Sequence, residues 1–383
     1  MEECTRVLPR LALRRGLVSP LAAGSRRRLE LMTCTEFHEP TALLKRVKVF
    51  AAFFPSLEAL AMGGGSVANI TLFGYRGLVG QFDLELPSTA QTLHLRLWAQ
   101  VEGKSKENDM GDLLLSLVTE RMEVVVVDEA AAAASSVLLS SYRFWPWTGL
   151  SAAPPVIVRE EYGATLGSHV YDCCVVLMRH LCEEHAALGS GAGGINGPVI
   201  ELGCGCGLLG LWLARQFGLF VYLTDKPAQQ DLVRANVELN KAWGAPSLTA
   251  CLPLDWAGAS GAGGHCKELA ALMALLVEYE SPADTPSPGP RPERGSCPGL
   301  IVAADVFYEA SAVTALYATI TALGGGRPGG PRVLLAQKLR GQAGGGDSAS
   351  DYDCSAPSEP VPVPLGCRVL REERRVRVLE LGC

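Results

Sequence analysis

The most constraining feature of the chain is a five-residue run, Gly203-Cys204-Gly205-Cys206-Gly207, set between two apolar segments. The run before it, Val199–Leu202, has the length and β-branched character of a short buried strand. The run after it, Leu208–Phe217, has the spacing of a helix. Alternate glycines let a tight turn take positive φ and let a ligand come close to the backbone. A strand, a glycine turn and a helix in that order belong to α/β folds. In these folds ligands bind at the carboxyl ends of the strands, near the switch in strand order.

The alternation continues downstream. Phe220–Leu223 reads as a strand ending at Thr224-Asp225, and Ala228–Asn240 as a helix. Ser247–Leu254 is a third strand, Glu268–Tyr279 a helix, Leu300–Ala304 a strand and Ser311–Leu323 a helix. Val333–Gln337 is another strand, and Arg368–Leu381 holds one or two edge strands. Upstream, Val170–Ala187 has helical spacing, and Gly189–Gly197 reads as a flexible linker. The expected fold class is therefore a doubly wound, Rossmann-like α/β sheet with an N-terminal region rich in β. Its informative residues should follow Leu202, Leu223, Leu254 and Ala304.

A chain of 383 residues, 48% apolar, has room for more than this domain. The division expected is a basic, disordered tail over 1–34, an accessory domain over 35–150 and the α/β domain over 151–383. Low-complexity insertions fall at 281–299 and 341–364. Within the accessory domain, Thr92–Trp98 alternates like a half-buried strand, and Val124–Val127 suits a buried one. Leu113–Val118 fits helix or strand equally.

The net charge of −6 does not suit a general polyanion binder, so no nucleic-acid partner is expected. Thirteen cysteines, an odd number, are expected to be reduced thiols in a cytoplasmic or nuclear setting. The longest apolar run, Val124–Leu139, is broken by Asp128 and Glu129, so no membrane span is expected. The arginine-rich start has the basic character of an import signal, but Glu2 and Glu3 argue against mitochondrial import. His180, Cys182 and His185 lack paired metal-ligand spacing, and no metal is expected.

Two ligand classes suit the glycine turn, a dinucleotide and S-adenosylmethionine. Gly205-x-Gly207-x-x-Gly210 matches the dinucleotide fingerprint. It is out of register, because Gly203 starts the turn and an in-register fingerprint needs a small residue at Leu208. Asp225, at the end of the next strand, can accept hydrogen bonds from the hydroxyls of either ribose.

The pattern Glu201-x-Gly203-x-Gly205-x-Gly207 resembles the first motif of class I, seven-strand S-adenosylmethionine-dependent methyltransferases. A narrower resemblance covers residues 160–340. Gly167-Ser-His-Val-Tyr171-Asp172 looks like the G-x-x-[VI]-W-D segment of the family 16 protein methyltransferases, with Tyr171 where that family has Trp. Asn236-x-x-x-Asn240, Leu254-Asp255-Trp256 and Ala303-Ala304-Asp305-Val306-Phe307-Tyr308 are similar to three further motifs of that family, in order. Val333–Arg340 looks like its next strand and basic end.

The resemblance implies S-adenosylmethionine as cofactor and lysine side chains of a specific protein as acceptor. Most characterised members modify lysine in specific proteins, often chaperones, translation factors or metabolic enzymes. It also implies that Tyr171, Glu201, Gly203, Gly205, Gly207, Asp225, Asp255, Trp256 and Ala304 surround the cofactor. Asp255 and Trp256 fall at the adenine, and Asp305 and Tyr308 at the cofactor–substrate junction, as the catalytic pair. Plainer readings stand beside these: Trp256 as core, Asp305 as a loop or helix cap. The Gly-rich stretch after Arg340 departs from the family pattern. It leaves room for a second reading, a methyltransferase fold that acts as a binding module.

Overall fold

The computed structural model describes residues 10–13, 21–34, 43–56, 59, 68–77, 79–101, 119–127, 140–145, 156–161, 165–188, 195, 197–242, 248–256, 267–278, 298–307, 310–339, 367–373 and 376–382. Tyr308, the ambiguous Leu113–Val118 and nearly all of both low-complexity insertions lie outside them. The chain divides into two compact units, Met1–Ser151 with Ile157–His169, and Ala152–Val156 with Val170–Cys383.

The first unit is built of strands: β1 (Arg10–Leu13), β2 (Leu21–Ala22), β3 (Arg26–Cys34), β4 (Leu43–Phe54), β5 (Ala68–Gly77), β6 (Val79–Glu85), β7 (Gln91–Val101), β8 (Thr119–Val127), β9 (Ser140–Trp145) and β10 (Val156–Glu161). They form a three-stranded sheet, β1-β3-β6, and a larger sheet in the order β10-β9-β8-β7-β4-β5, with β2 beside β8. The alternation read in Thr92–Trp98 places Leu93, Leu95 and Leu97 in the core, all fully buried.

The basic tail expected over 1–34 is replaced over its second half by a strand. Arg26–Met32 pairs antiparallel with Val79–Glu85, and Arg26 and Arg28 meet Glu85 and Asp83 across the ladder. The acidic complement lies more than fifty residues downstream, so the local composition read as unbalanced.

The second unit carries the α/β pattern. Helix α1 (Asp172–Leu188) precedes β11 (Val199–Leu202), α2 (Leu208–Phe217), β12 (Val221–Asp225) and α3 (Gln230–Ala242). Then come β13 (Thr249–Pro253), α4 (Lys267–Glu278), β14 (Leu300–Ala304), α5 (Ala310–Ala322), β15 (Arg332–Lys338), β16 (Cys367–Glu373) and β17 (Val376–Leu381).

The sheet order is β13-β12-β11-β14-β15-β17-β16. The first five strands are parallel, β17 runs antiparallel to β15, and β16 antiparallel to β17. Strands β11 and β14 are buried on both faces, so β14 reads as a continuous apolar run and β11 as one interrupted only by Glu201. Between them the order reverses, and the carboxyl ends of β11, β12, β13 and β14 frame the crevice. A charged lattice fastens α1 to the antiparallel end of the sheet. Arg332 on β15 binds Glu184 with both terminal nitrogens at 2.7 and 2.9 Å and Glu380 on β17 at 2.7 Å.

Candidate functional site

The glycine turn takes the backbone geometry its sequence allows. Gly203, Gly205 and Gly207 have φ of 69°, 57° and 83°, the left-handed region that other residues enter at a cost of about 1–2 kcal/mol. Gly203 is also confined in space, because a Cβ there would lie 3.0–3.1 Å from the Trp256 ring and Val306. Gly207 closes the turn, donating to Cys204 O at 2.8 Å, and its carbonyl accepts the helical bond from Leu211.

Polar groups of the neighbouring elements hold the turn at several points. Asp225, at the end of β12, accepts from Gly205 N–H through Oδ2 and from Lys226 N–H through Oδ1, each at 2.7 Å. Asn236 on α3 is fully buried and donates to Cys206 O at 2.8 Å. Asn240 donates to Asn236 O at 2.8 Å. Thr224 Oγ1 donates to Glu201 O at 2.6 Å, and Cys204 N–H to Thr224 O at 3.0 Å. Gln230 binds the carbonyls of Asp225 and Leu252 and so ties the ends of β12 and β13 together. A turn whose donors and acceptors are already engaged meets a ligand with little further ordering.

Glu201 sits beneath the turn, 3% exposed, and its Oε2 accepts from Gly210 N–H in the first turn of α2 at 2.8 Å. It thus serves a helix end, where its oxygen satisfies one of the N–H groups that the helix leaves free. Burial pushes its carboxyl up to about 8, against the pull of the Gly210 hydrogen bond. Burial also raises the Asp225 carboxyl, opposed by its two backbone donors. Gly210 allows the close approach: a Cβ there would overlap Leu223 and come within 2.5 Å of Glu201 Oε2. Gly210 therefore performs the helix-packing duty that the dinucleotide fingerprint gives its third glycine.

Asp255 and Trp256 follow β13. Asp255 is half-buried. Trp256 is 8% exposed and belongs to the core cluster with Val306 and Phe307, its benzo edge against Gly203. Ala304 ends β14 and pairs with Ala336.

Asp305 has φ of 56°, the one left-handed position among the described residues that is not glycine. Its N–H donates to Ala336 O at 2.9 Å, and it is 9% exposed. A strained, nearly buried acid at a strand end in the crevice is a functional-site observation in its own right. Tyr171 is half-buried, and its carbonyl accepts from Cys174 N–H at the start of α1.

The structure therefore gathers Gly203, Gly205, Gly207, Asp225, Asp255, Trp256, Ala304 and Asp305 at the carboxyl ends of adjacent strands. It turns the carboxylate of Glu201 toward α2. Sequence reasoning missed Cys173, whose thiol donates to Asp305 Oδ1 at 3.5 Å, and Gln230. Neither has a local signal: the Cys173–Asp305 contact spans 132 residues and the Gln230–Leu252 contact spans 22.

Strand order separates the two ligand classes that the turn alone left open. Dinucleotide domains of this type run 3-2-1-4-5-6. Here the strand that comes last in the chain is inserted antiparallel between the fifth and sixth, giving 3-2-1-4-5-7-6. Fold and turn together define a Rossmann-like domain of the seven-strand methyltransferase type. Residues 151–265 match the family model described as lysine methyltransferase, a range that holds the family 16 motifs from Gly167 to Trp256 but not the one at Ala303–Tyr308.

Among solved structures, the chain is similar to a mutant of MtNAS in complex with S-adenosylmethionine (14% identity, 55% of this chain and 63% of that one, TM-score 0.29). It is also similar to an O-methyltransferase family protein from Burkholderia thailandensis (13% identity, 54% and 57%, TM-score 0.29). A third is PigF with SAH (10% identity, 49% and 50%, TM-score 0.30). The chain spans about half to two thirds of the length of these three structures.

Proposed function

We propose that the protein is an S-adenosylmethionine-dependent methyltransferase acting on lysine side chains of a protein substrate. The observation that carries the cofactor is the turn of three left-handed glycines, seated on the Asp225 carboxylate at the switch point of a 3-2-1-4-5-7-6 sheet. The donor set fits the ligand. Asp225 can accept from neutral ribose hydroxyls, which need no counter-charge. The glycine backbone admits the amino-acid end closely. The resemblance puts Asp255 and Trp256 at the adenine. When bound, the cofactor supplies an electrophilic methyl group on a sulfonium.

The remaining chemistry falls to positioning. A lysine acceptor would have to be presented as the neutral amine and would lose its proton to water. Methyl transfer gains most from in-line alignment of the reacting atoms. Asp305, held rigid by its backbone, orients the amine by accepting a hydrogen bond. The resemblance gives Tyr308 a place beside it. The lysine acceptor is supported by the description of the family model over 151–265. A partner among chaperones, translation factors or metabolic enzymes, and a cytoplasmic or nuclear site of action, accord with the resemblance and with thirteen cysteines.

The test is methyl transfer from labelled S-adenosylmethionine to proteins of a cell extract, followed by mass spectrometry of the labelled residues. Asp305→Ala should abolish labelling and leave cofactor binding intact. Labelling on residues other than lysine would overturn the acceptor. Cofactor binding without labelling of any protein would favour the binding-module reading.

A further inference from the structure

Asp305 is held from two sides, by β15 and by α1. Its backbone is fixed to β15 through Ala336, and its left-handed φ leaves the main chain little freedom. Its carboxylate is met from α1 by Cys173, whose Sγ lies 3.5 Å from Oδ1. The start of α1 is itself pinned to the end of β15 by the ion pair between Asp172 and Lys338. The thiol therefore reaches Asp305 from a helix anchored to the same strand that fixes the Asp305 backbone.

Cys173 is wholly buried. Burial first, and then the charges of Asp305 and Asp172, raise its thiol well above the ordinary range. It stays protonated at neutral pH and is a poor nucleophile. A group in that state has one polar use here, the donation of its proton to a carboxylate oxygen.

We propose that Cys173 is a positioning residue that sets the direction in which the Asp305 carboxylate faces the acceptor amine. The inference rests on the reading of Asp305 given above. A carboxylate that rotates away from the line of attack loses alignment without losing the cofactor, so the effect belongs to turnover rather than to binding.

The experiment compares the full chain with Cys173→Ala and Cys173→Ser. Three quantities are measured: S-adenosylmethionine affinity by calorimetry, methyl transfer to extract proteins at saturating cofactor, and the infrared S–H stretch isolated as the wild-type minus Cys173→Ser difference. The alanine variant should transfer methyl groups about tenfold more slowly, with cofactor affinity within about twofold of wild type. Serine, which restores a donor, should recover most of the rate. The Cys173 band should lie at the lowered frequency of a bonded thiol and move to that of a free thiol in Asp305→Ala.

An alanine variant as fast as wild type, or one that loses cofactor affinity in step with rate, would overturn the positioning role. A Cys173 band indifferent to Asp305→Ala would overturn the contact, whether or not the protein turns over. A wild type that binds cofactor and transfers nothing would sink the reading of Asp305 instead, and the two failures are told apart by that control.

Discussion

Gly210→Ala should destabilise the α/β unit, although alanine in place of a helical glycine ordinarily stabilises by about 1 kcal/mol. The added methyl has no room. It would overlap Leu223 and stand 2.5 Å from Glu201 Oε2 and 3.0 Å from Val221, with both Leu223 and Val221 fully buried in β12. Overpacking of this kind costs about 1–3 kcal/mol. Displacing the Glu201 carboxyl from Gly210 N–H adds about 1–3 kcal/mol for a buried group left unpaired. Set against the helical gain, the net loss is about 1–5 kcal/mol, centred near 3. Urea unfolding of the full chain measures it. With a slope of about 2 kcal/mol per molar, the midpoint of the transition should fall by about 1.5 M at constant slope, within a range of about 0.5–2.5 M. A variant as stable as wild type would refute the claim that Gly210 exists for the approach of α2 to Glu201.

Three further outcomes are expected. Glu201 has its carboxyl raised from 4.5 to about 8, so between those values the folded state holds a proton that the unfolded state has released. Stability should fall as pH rises through that window, by at most about 1.4 kcal/mol per unit, and Glu201→Gln should flatten the fall. Asn236→Ala strips the buried Cys206 carbonyl of its donor and should cost about 1–3 kcal/mol, with weaker cofactor binding, both read by calorimetry. Glu184 behaves oppositely to Glu201. The Arg332 hydrogen bonds hold its carboxyl below the usual range, so its contribution is present above the unfolded value and lost as pH falls through the folded one. Arg332→Met should therefore flatten the acid limb of a pH–stability profile.

Much of the α/β unit was legible because β11, β12 and β14 are short, mostly apolar runs that end at Gly203, Asp225 and Asp305. Val199–Leu202, Leu208–Phe217 and Leu300–Ala304 form over the expected residues, and the other elements shift by one or two positions at their ends. The start of α3 was read early, because Pro227–Gln229 forms a 3-10 turn before Gln230 begins the helix. The first unit was far less legible. Leu43–Phe54 mixes lysine and arginine into an apolar run and pairs with strands on both sides, which no local period reveals. Arg26–Cys34 read as tail because its acidic partners are remote.

At the site, glycines and carboxylates were visible through their spacing, whereas direction was not. That Glu201 turns to Gly210, that Trp256 lies on Gly203, and that Cys173 meets Asp305 across 132 residues of sequence are products of packing.

The central claim is that the glycine turn holds S-adenosylmethionine. Calorimetric titration of the full chain with S-adenosylmethionine and, separately, with NAD tests it most directly. Micromolar binding of the first and none of the second is the expected result. Binding of NAD, or binding of neither by a folded sample, would contradict it.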